Sequence, residues 1–498
     1  MPIPIIDLFA GPGGLNEGFS SVCDSQGRSV FETALSVEMD EFAHRTLELR
    51  ALYRRLRKRG NIRDYVGYAQ GLVTRDALFA NSREDGTVAK AEALMATMGS
   101  SPSADDEIES RIAKALRETG KKDFVLIGGP PCQAYSLAGR ARRRNEARAL
   151  FEADPKQRLY REYLKIVRRF KPAAFLMENV PGLLSASLGG ESTFALICAD
   201  LREAGYDLHP LNSPELLPEL EEHDPRRFII QAKEHKIPQA RARVFILGLR
   251  SDLCLKARSL PAPTGEMIFA NDVLSGLPPI RSKLSKREDN GANWLEEINE
   301  LGGYKLHTVD EGVRRIIRME LASLSPDLPV GGRFIPKSAK PGKLAGWLTG
   351  ADVGGVLNHN SRGHMGSDLR RYFFWSIYAD IKQRSPSLAE VPSYLRPDHL
   401  NITGDARDTP FADRFRVQVR GRPSTTITSH IAKDGHYYIH YDSLQCRSLS
   451  VREAARLQTF PDDYFFEGPV TEQYKQVGNA VPPYLAKQIG DLVASILR

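Results

Sequence analysis

Short, wholly apolar segments recur through the first half of the chain and alternate with stretches of helical periodicity. Continuous hydrophobicity over four to eight residues is typical of strands that are buried on both faces of a sheet. Strands that alternate with helices predict an α/β fold with a mostly parallel, doubly wound sheet. The predicted strands are Ile3–Phe9, Ala34–Glu38, Phe124–Gly128, Ala173–Glu178 and Val244–Gly248.

Composition and pattern divide the chain into three regions. Residues 1–250 carry the α/β pattern. Residues 251–420 are rich in Pro, Gly and Ser and have only short helical stretches, which predicts a smaller, loop-rich second domain. Residues 421–498 return to regular helical patterning.

Three further segments have a predicted helical structure. SVREAARLQTF predicts an amphipathic helix with a capping box between Ser450 and Glu453. PPYLAKQIGDLVASIL predicts a second helix, because its prolines stand where a first turn tolerates them. The polar, Ala-rich stretch Glu84–Gly120 predicts a helical insertion that carries no chemistry.

The composition sets broad limits on function. The formal net charge of +7 permits a polyanionic partner without requiring one. The sequence has no apolar run of about 18 residues or more, which would predict a membrane span, and its N-terminus lacks the features of a signal peptide. The five cysteines are scattered and lack zinc-ligand spacing, so we expect reduced thiols, no metal site and a cytoplasmic protein.

A glycine-rich loop, FAGPGG at residues 9–14, follows the first predicted strand. Doubly wound sheets bind nucleotide-like cofactors at such a loop, because glycine lets the backbone approach a ligand closely. Glu38 ends the second predicted strand and is placed to accept hydrogen bonds from ribose hydroxyls. The loop matches neither GxGxxG nor a phosphate loop, which favours adenosine without a pyrophosphate over NAD. The alternative is a tight turn beside a solvated glutamate.

A cysteine stands after two prolines in GGPPCQ, residues 128–133. Pro130 and Pro131 fix the backbone at the end of a strand and would hold Cys132 at the ligand-binding edge of the sheet. A cysteine at this edge is a candidate nucleophile, because its thiolate is strongly nucleophilic. The alternative, a buried structural cysteine, is disfavoured because glycines and prolines at a strand end contribute little to core packing. The arginine-rich segment Gly139–Arg148 predicts either a contact with a phosphate backbone or a solvated loop.

A carboxylate and two arginines complete the set of candidate site residues. Glu178 ends a fully apolar strand, where an ionised group costs free energy unless it is paired, and this makes it a candidate proton donor. The alternative is a helix cap or a structural hydrogen bond. Arg241 and Arg243 precede the last predicted strand and, being two residues apart, should point to one face, as suits a carbonyl oxygen or an anion. The alternative is an edge strand with surface arginines.

Taken in order, FAGPGG, GGPPCQ, ENV, QARAR, RPSTTIT and GNAVPP resemble the motifs of the DNA cytosine-5 methyltransferase family. The resemblance implies a Rossmann-like, S-adenosylmethionine-dependent methyltransferase domain formed by residues 1–250 and completed by residues 421–498. It implies a target-recognition domain in residues 251–420, which RPSTTIT braces. It also implies S-adenosyl-L-methionine as the cofactor and duplex DNA as the partner.

The resemblance assigns a role to each candidate residue. Cys132 attacks carbon 6 of a flipped-out cytosine, and Glu178 contacts and protonates the ring nitrogen. Arg243, helped by Arg241, holds the exocyclic oxygen, and carbon 5 takes the methyl group. The positions that match cofactor contacts are Phe9, Gly11, Gly13, Gly14, Glu38, Asn61, Pro131, Leu159 and Asn479.

One position departs from the family pattern. Family members have an Asp in a Gly-Asp-Ile setting that contacts the adenine amino group, whereas this chain has Gly60-Asn61-Ile62. Asn61 offers an amide oxygen for the same hydrogen bond, and Asp64 is the alternative.

Base-reading residues are a separate question. His359, Arg362 and His364, in the second region, either contact bases in the major groove or have structural roles.

Other functions were weighed against this assignment. An RNA (tRNA) cytosine-5 methyltransferase is disfavoured by the large recognition domain. A catalytically silent DNA-binding regulator is disfavoured by the complete set of Cys132, Glu178 and Arg243. An NAD-dependent oxidoreductase leaves GGPPCQ unexplained. We expect a role in protecting host DNA, beside a cognate restriction or phage-defence system, and a monomer is compatible with it.

Overall fold

The computed structural model describes residues 2–130, 159–188, 191–212, 224–262, 264–304, 306–307, 309–337, 339–396 and 415–498. Pro131, Cys132 and the arginine-rich segment Gly139–Arg148 lie outside these residues. The described helices are α1 Gly14–Ser20, α2 Glu41–Lys58, α3 Arg63–Gln70, α4 Arg75–Asn81, α5 Arg83–Glu92, α6 Pro102–Thr119, α7 Leu159–Phe170, α8 Thr193–Glu203, α9 Ala270–Leu274, α10 Gly291–Asn299, α11 Glu311–Leu321, α12 Ala345–Leu348, α13 Gly366–Lys382, α14 Val451–Leu457, α15 Val470–Asn479 and α16 Pro483–Leu497. The described strands are β1 Ile3–Leu8, β2 Phe31–Glu38, β3 Ala93–Met95, β4 Val125–Gly128, β5 Ala174–Asn179, β6 Ser187–Leu188, β7 Glu191–Ser192, β8 Tyr206–His209, β9 Ile229–Gln231, β10 Gln239–Ala240, β11 Ala242–Arg250, β12 Lys283–Leu284, β13 Gly331–Ile335, β14 Val356–Asn360, β15 Gly363–His364 and β16 Ser424–Thr425.

The central sheet has the strand order β3-β2-β1-β4-β5-β11-β8, and β9 also pairs with β11. The first five strands in this order, β3, β2, β1, β4 and β5, are mutually parallel. β11 runs antiparallel to β5, β8 and β9. The chain reverses its direction of travel across the sheet between β1 and β4, which is where doubly wound folds bind ligands. The predicted fold class, α/β with a mostly parallel sheet, is confirmed.

Both faces of the sheet are buried. Ile5 and Ile6, neighbours on β1, belong to two separate hydrophobic cores. The core around Ile6 includes α6, α7 and α8, whereas the core around Ile5 includes α1 and α16. Close approach of α1 and α16 requires a glycine, because a Cβ at Gly18 would lie 2.4 Å from the Cβ of Ala486. Helices on both faces explain why the strand sequences are continuously apolar.

Two sequence-based expectations about this sheet need correction. All five predicted strands are present with shifted ends, but the last of them, Val244–Gly248 within β11, is antiparallel rather than parallel to its neighbour. The stretch Glu84–Gly120 is not only helical, because it contains the short strand β3 between α5 and α6. β3 pairs with β2, so the polar composition of the stretch concealed part of the sheet.

The second region and part of the third share a core. One hydrophobic cluster extends from Ile268 to Ala480 and includes α14 and α15, whereas α16 packs against the sheet. The capping box between Ser450 and Glu453 is confirmed. The amphipathic character predicted for this helix is wrong, because all seven residues of α14 are buried. Arg452, for example, donates hydrogen bonds to three backbone carbonyls, and such partners make its burial possible.

Within the described ranges, no helix is long and apolar enough to cross a membrane. The same residues contain no group of three or more His, Cys, Asp and Glu side chains that could hold a metal ion. Cys198 and Cys446 are buried, which raises the pKa of Cys198 to about 12 and that of Cys446 well above its ordinary value. Neither thiol is therefore a thiolate at neutral pH.

A buried polar cluster stabilises the junction between β14 and α14. Both carboxylate oxygens of Glu453 accept hydrogen bonds from Arg447, and His440 Nε2 lies 3.4 Å from Glu453 Oε1. His359 is fully buried and its Nδ1 lies 2.7 Å from the Ser450 hydroxyl. Burial lowers the pKa of both His359 and His440 to about 4.

We predict that acidification destabilises this cluster well above the pH at which its carboxylates titrate. Between pH 6.5 and pH 4 an unfolded chain protonates His359 whereas the folded chain keeps it neutral, so the free energy of unfolding falls as the pH falls. For His359 the loss should be about 2 kcal/mol at pH 5 relative to pH 7.5. Urea unfolding of wild type, His359→Gln and the exposed-site control His430→Gln measures it. A pH dependence that His359→Gln leaves unchanged would contradict the prediction.

Candidate active site

The antiparallel direction of β11 places Arg243 beside Glu178. In the register of the two strands, Val244 pairs with Asn179, so the start of β11 meets the carboxyl end of β5. Arg243 Nε lies 2.8 Å from Glu178 Oε1, and the two side chains are 14% and 16% exposed. QARAR leads into the first residues of β11 and ENV stands at the end of β5, so the antiparallel direction of β11 brings both motifs to the same edge of the sheet.

The ion pair leaves hydrogen-bonding capacity on both side chains. Arg243 uses Nε for Glu178 and donates from Nη1 to the carbonyl of Ala242, while Nη2 has no partner among the described residues. Burial lowers the pKa of Arg243 and the Glu178 carboxylate opposes this shift, so the guanidinium stays charged at neutral pH. A donor and a carboxylate on one edge can together bind a ligand that has adjacent acceptor and donor atoms.

Arg241 does not join this pair. It is 1% exposed, donates from Nη1 to Ile427 O at 2.7 Å, and also contacts the carbonyl of Gly478. The expectation that Arg241 and Arg243 point to one face is corrected, because Arg241 lies in the break between β10 and β11, where strand alternation does not hold. Arg241 instead links RPSTTIT to GNAVPP.

Gly129 of GGPPCQ packs directly against the ion pair, and Gly128 packs against the backbone of β1. A Cβ at Gly129 would lie 2.7 Å from Glu178 Oε2, and one at Gly128 would lie 2.2 Å from Leu8 O. Asn179 Nδ2 donates a long hydrogen bond of 3.5 Å to Pro130 O. The expectation that these glycines have little to do with packing is wrong. Pro130 is the last described residue before the segment that contains Cys132.

Glu38 fixes the glycine loop from the neighbouring strand. Its Oε2 accepts a hydrogen bond of 2.7 Å from Gly11 N, and its Oε1 accepts from Met39 N and Asp40 N. Glu38 is 9% exposed, and burial raises its pKa. Three of the roughly four lone-pair positions of the carboxylate are therefore filled, which leaves about one, on Oε2, for a ribose hydroxyl.

The loop itself has an unusual backbone. Phe9, Gly11 and Gly13 have φ values of 56°, 55° and 91°, in the left-handed region that favours glycine. Gly11 has no atom within 4 Å of the place where a Cβ would be, so its open side can receive a ligand. A Cβ at Gly14 would lie only 2.2 Å from Val481 O, so this glycine is required by the contact with GNAVPP rather than by a ligand.

Of two further predicted cofactor positions, one approaches this edge. Leu159 begins α7, and its Cδ2 lies 3.7 Å from the place where a Cβ of Gly99 would be. Gly99 follows β3, whose Met95 pairs with Glu38 across the strands. The structure therefore brings Leu159 towards the Glu38 edge of the sheet. Asn479 ends α15 and is exposed.

The structure does not bring Asn61 to this edge. α2 begins immediately after Glu38, with Asp40 as its N-cap, and runs for 18 residues. A helix of that length extends about 27 Å, so Asn61 and the alternative Asp64 lie at its far end. This position disfavours the adenine-contact assignment of both residues.

The sequence analysis missed Met39 and Met95, which flank Glu38 on neighbouring strand ends. They are 61% and 55% exposed, which is unusual for large apolar side chains. The signal that could have found Met95 is the long interval between Glu38 and Phe124, where an α/β pattern requires another strand and where the apolar run Ala93–Met95 stands.

Comparisons with known proteins show the family of the chain. The model of the family described as C-5 cytosine-specific DNA methylase matches residues 103–494. The chain belongs to this family. It is 30% identical over 99% of both chains to the Type II methyltransferase M.Bpa9945I of Bacillus paralicheniformis. It is 25% identical to the Type II methyltransferase M1.HphI of Haemophilus parahaemolyticus, over 99% of this chain and 87% of the relative.

A solved structure supports the same fold for this DNA cytosine-5 methyltransferase. A prophage-encoded protein of E. coli, described as a DNA modification methyltransferase, aligns over 99% of both chains with a TM-score of 0.53 and 18% sequence identity. At this identity the likeness concerns the fold alone.

The histidines considered for base contacts lie in the interior of the methyltransferase. His359 is 0% and His364 is 6% exposed, and both are within hydrogen-bond distance of serine hydroxyls. These positions favour the structural alternative for both. Arg362 is half-buried, stacks 4.8 Å from the ring centre of Tyr474 and donates to Ala432 O.

Arg362 borders a polar cleft of about 430 Å³ in the second half of the methyltransferase. His430 and Lys433 are exposed, so the cleft presents cationic and titratable groups to the surface. Ile427, whose carbonyl accepts a hydrogen bond from Arg241, stands three residues before His430 of the cleft. Its lining is Ser285, Arg362, Gly363, His364, Met365, Asp368, Tyr372, His430, Lys433, Asp434, Gly435 and His436.

We predict that Gly129→Ala inactivates the methyltransferase without unfolding it. The added methyl group would lie 2.7 Å from Glu178 Oε2, so the carboxylate must move and its pairing with Arg243 is disturbed. A displacement of this size should lower kcat about 100-fold. Methyl-transfer kinetics and thermal melting measure the effect, with Gly303→Ala as control, because a Cβ there meets no atom within 4 Å. Activity of Gly129→Ala within two-fold of wild type would contradict the assignment.

Proposed function

We propose that the protein transfers a methyl group from S-adenosyl-L-methionine to carbon 5 of a flipped-out cytosine in a specific duplex DNA sequence, through a covalent adduct with Cys132. The observation that carries the proposal is the Glu178–Arg243 ion pair, which lies at the carboxyl edge of the sheet against Gly129. Cys132 follows Gly129 by three residues.

The ion pair supplies the two contacts that a cytosine ring requires. Arg243 Nη2, which has no partner among the described residues, donates to the exocyclic oxygen of the base. Glu178 Oε2 is the oxygen that the ion pair leaves available, and it meets the adjacent ring nitrogen. When the Glu178 carboxyl carries a proton, the hydrogen bond to that nitrogen withdraws electrons from the ring and favours nucleophilic attack.

Cys132 then acts on carbon 6. Its thiolate forms a carbon–sulfur bond, and the electron pair of the 5,6 double bond makes carbon 5 nucleophilic. Carbon 5 forms its bond to the methyl group as the bond between that methyl group and the cofactor sulfur breaks, and S-adenosylhomocysteine is the leaving group. A base removes the proton from carbon 5, the double bond returns, and the carbon–sulfur bond breaks to release the Cys132 thiolate.

The residues around the glycine loop fit an adenosine-type cofactor. Glu38 Oε2 keeps about one acceptor position, and Gly11 faces open space beside it. The exposed side chains of Met39 and Met95 offer apolar surface on both sides of Glu38, as suits an adenine ring. Phe9 and Leu159 border the same edge. S-adenosyl-L-methionine supplies an electrophilic methyl group when it is bound there.

The cleft beside Arg362 supports duplex DNA as the partner. Its exposed Lys433 and His430 are suited to phosphate oxygens, and the net charge of +7 favours a polyanion. Two of the relatives are named Type II methyltransferases. We infer from them that methylation by this protein protects host DNA in a restriction–modification system.

Methyl-labelled S-adenosyl-L-methionine, offered with duplex DNA or with tRNA, tests the proposal. Label should enter the duplex only, and mass spectrometry of the digested product should identify 5-methylcytosine. Glu178→Gln should lower the rate at least about 100-fold, because it removes the proton donor. Label in tRNA alone would favour the RNA alternative, and cofactor binding without transfer to any substrate would favour the silent regulator.

We also predict that Lys433→Gln weakens DNA binding equally on all sequences. Loss of one phosphate contact should reduce the slope of log K against log salt concentration by about 0.9. Fluorescence anisotropy between low and moderate salt measures the slope, with Lys114→Gln as control, because Lys114 is an exposed lysine of α6, which packs against the sheet. A slope unchanged by Lys433→Gln would place the phosphate contacts elsewhere.

A further inference from the structure

The segment Pro461–Tyr464, here called the PDDY segment, crosses from the end of α14 to the glycine loop. The hydroxyl of Tyr464 donates a hydrogen bond to the carbonyl of Pro12 within that loop. A Cβ at Gly13 would lie 3.1 Å from the same hydroxyl. Tyr464 is 1% exposed, and burial raises its pKa, so the hydroxyl keeps its proton and acts as a donor at all physiological pH values.

The neighbouring Asp463 is anchored by α2. It is fully buried, accepts a hydrogen bond of 3.0 Å from Arg50 Nη1 and also accepts from the Tyr53 hydroxyl. Arg50 binds Glu17 of α1 through Nε, at 2.9 Å, and its guanidinium lies 4.5 Å from the ring centre of Tyr464. The PDDY segment therefore holds the glycine loop at Pro12 and the following helix, through Arg50, at Glu17.

The other end of the PDDY segment contacts the second region. Asp463 accepts a hydrogen bond of 2.6 Å from Ala351 N, and a Cβ at Gly350 would lie 2.4 Å from Asp463 Oδ2. Asp462 N donates to Leu348 O at 2.7 Å. One buried segment thus contacts the second region on one side and the glycine loop on the other.

We propose that Tyr464 is a positioning residue for the cofactor: its hydroxyl sets the carbonyl of Pro12 and thereby the open face of Gly11. The inference rests on the proposed function, in which Gly11 and Glu38 hold S-adenosyl-L-methionine. The loop depends on such support because three of its residues, Phe9, Gly11 and Gly13, have left-handed backbone conformations. Tyr464 touches no reacting atom, so its effect falls on cofactor affinity and not on the chemical step.

Tyr464→Phe tests the inference, with Tyr474→Phe as a matched control. Tyr474 is also fully buried, and its hydroxyl donates to a backbone carbonyl, Leu449 O, at 2.6 Å, but it does not contact the glycine loop. Each variant loses one buried hydrogen bond of the same kind, so their melting temperatures should fall by similar amounts.

Calorimetric titration with S-adenosylhomocysteine, which binds without reacting, separates the two variants. Tyr464→Phe should raise the dissociation constant about five-fold, as expected for one hydrogen bond, and leave kcat unchanged at saturating cofactor. Tyr474→Phe should leave the dissociation constant unchanged. Asp463→Asn, which weakens the contacts of the same segment with α2 and with the second region, should also raise the dissociation constant.

Equal dissociation constants for wild type, Tyr464→Phe and Asp463→Asn would overturn the inference and leave the proposed function intact. A rise of the same size in Tyr474→Phe would also overturn it, because the effect would then follow general destabilisation. Wild-type protein that binds no S-adenosylhomocysteine would instead overturn the proposed cofactor site, and the inference with it.

Discussion

The ion pair between Arg243 and Glu178 depends on the direction of a single strand. In a sheet of parallel strands only carboxyl ends meet at the ligand-binding edge, and a residue that precedes a strand lies at the opposite edge. Because β11 runs antiparallel to β5, its first residues reach the carboxyl end of β5. A carboxylate and a guanidinium from motifs about 60 positions apart thereby become neighbours at 2.8 Å. Both charged side chains are largely buried, so each is stabilised by the other. Removing either partner would leave an uncompensated charge at the site.

The C-terminal part of the chain packs against the residues at this edge of the sheet. Val481 lies against Gly14, Arg241 holds the carbonyls of Ile427 and Gly478, and Tyr464 holds the glycine loop. These contacts are made by backbone carbonyls and buried side chains, and they leave little room for substitution. They bring a segment that is distant in sequence against the glycine loop.

Much of this arrangement could be predicted from the sequence, because strand ends carry chemistry in a predictable place. The five apolar runs predicted five of the eight strands of the central sheet, and Glu38 and Glu178, which end two of the predicted strands, stand at its carboxyl edge as expected. What could not be predicted depends on three-dimensional context. The direction of the Arg241 side chain could not be predicted, because Arg241 lies in the break between β10 and β11, where side chains do not alternate between the two faces of a sheet. The position of Asn61 beyond the far end of α2 could not be predicted, because the polar stretch that follows it concealed β3, the strand that pairs with β2. Polar character alone also suggested an amphipathic α14, whereas its charged side chains are buried with partners.

The central claim is that Cys132 forms a covalent bond to cytosine, and one trapping experiment tests it most directly. The protein is incubated with cofactor and a duplex that carries 5-fluorocytosine, whose fluorine blocks the proton loss that would release the enzyme. We expect a protein–DNA adduct that survives denaturation, is absent in Cys132→Ser, and whose digestion yields a peptide with the modified base on Cys132. A wild-type protein that binds the cofactor and methylates cytosine in duplex DNA, yet gives no adduct or gives one that persists in Cys132→Ser, would contradict the account.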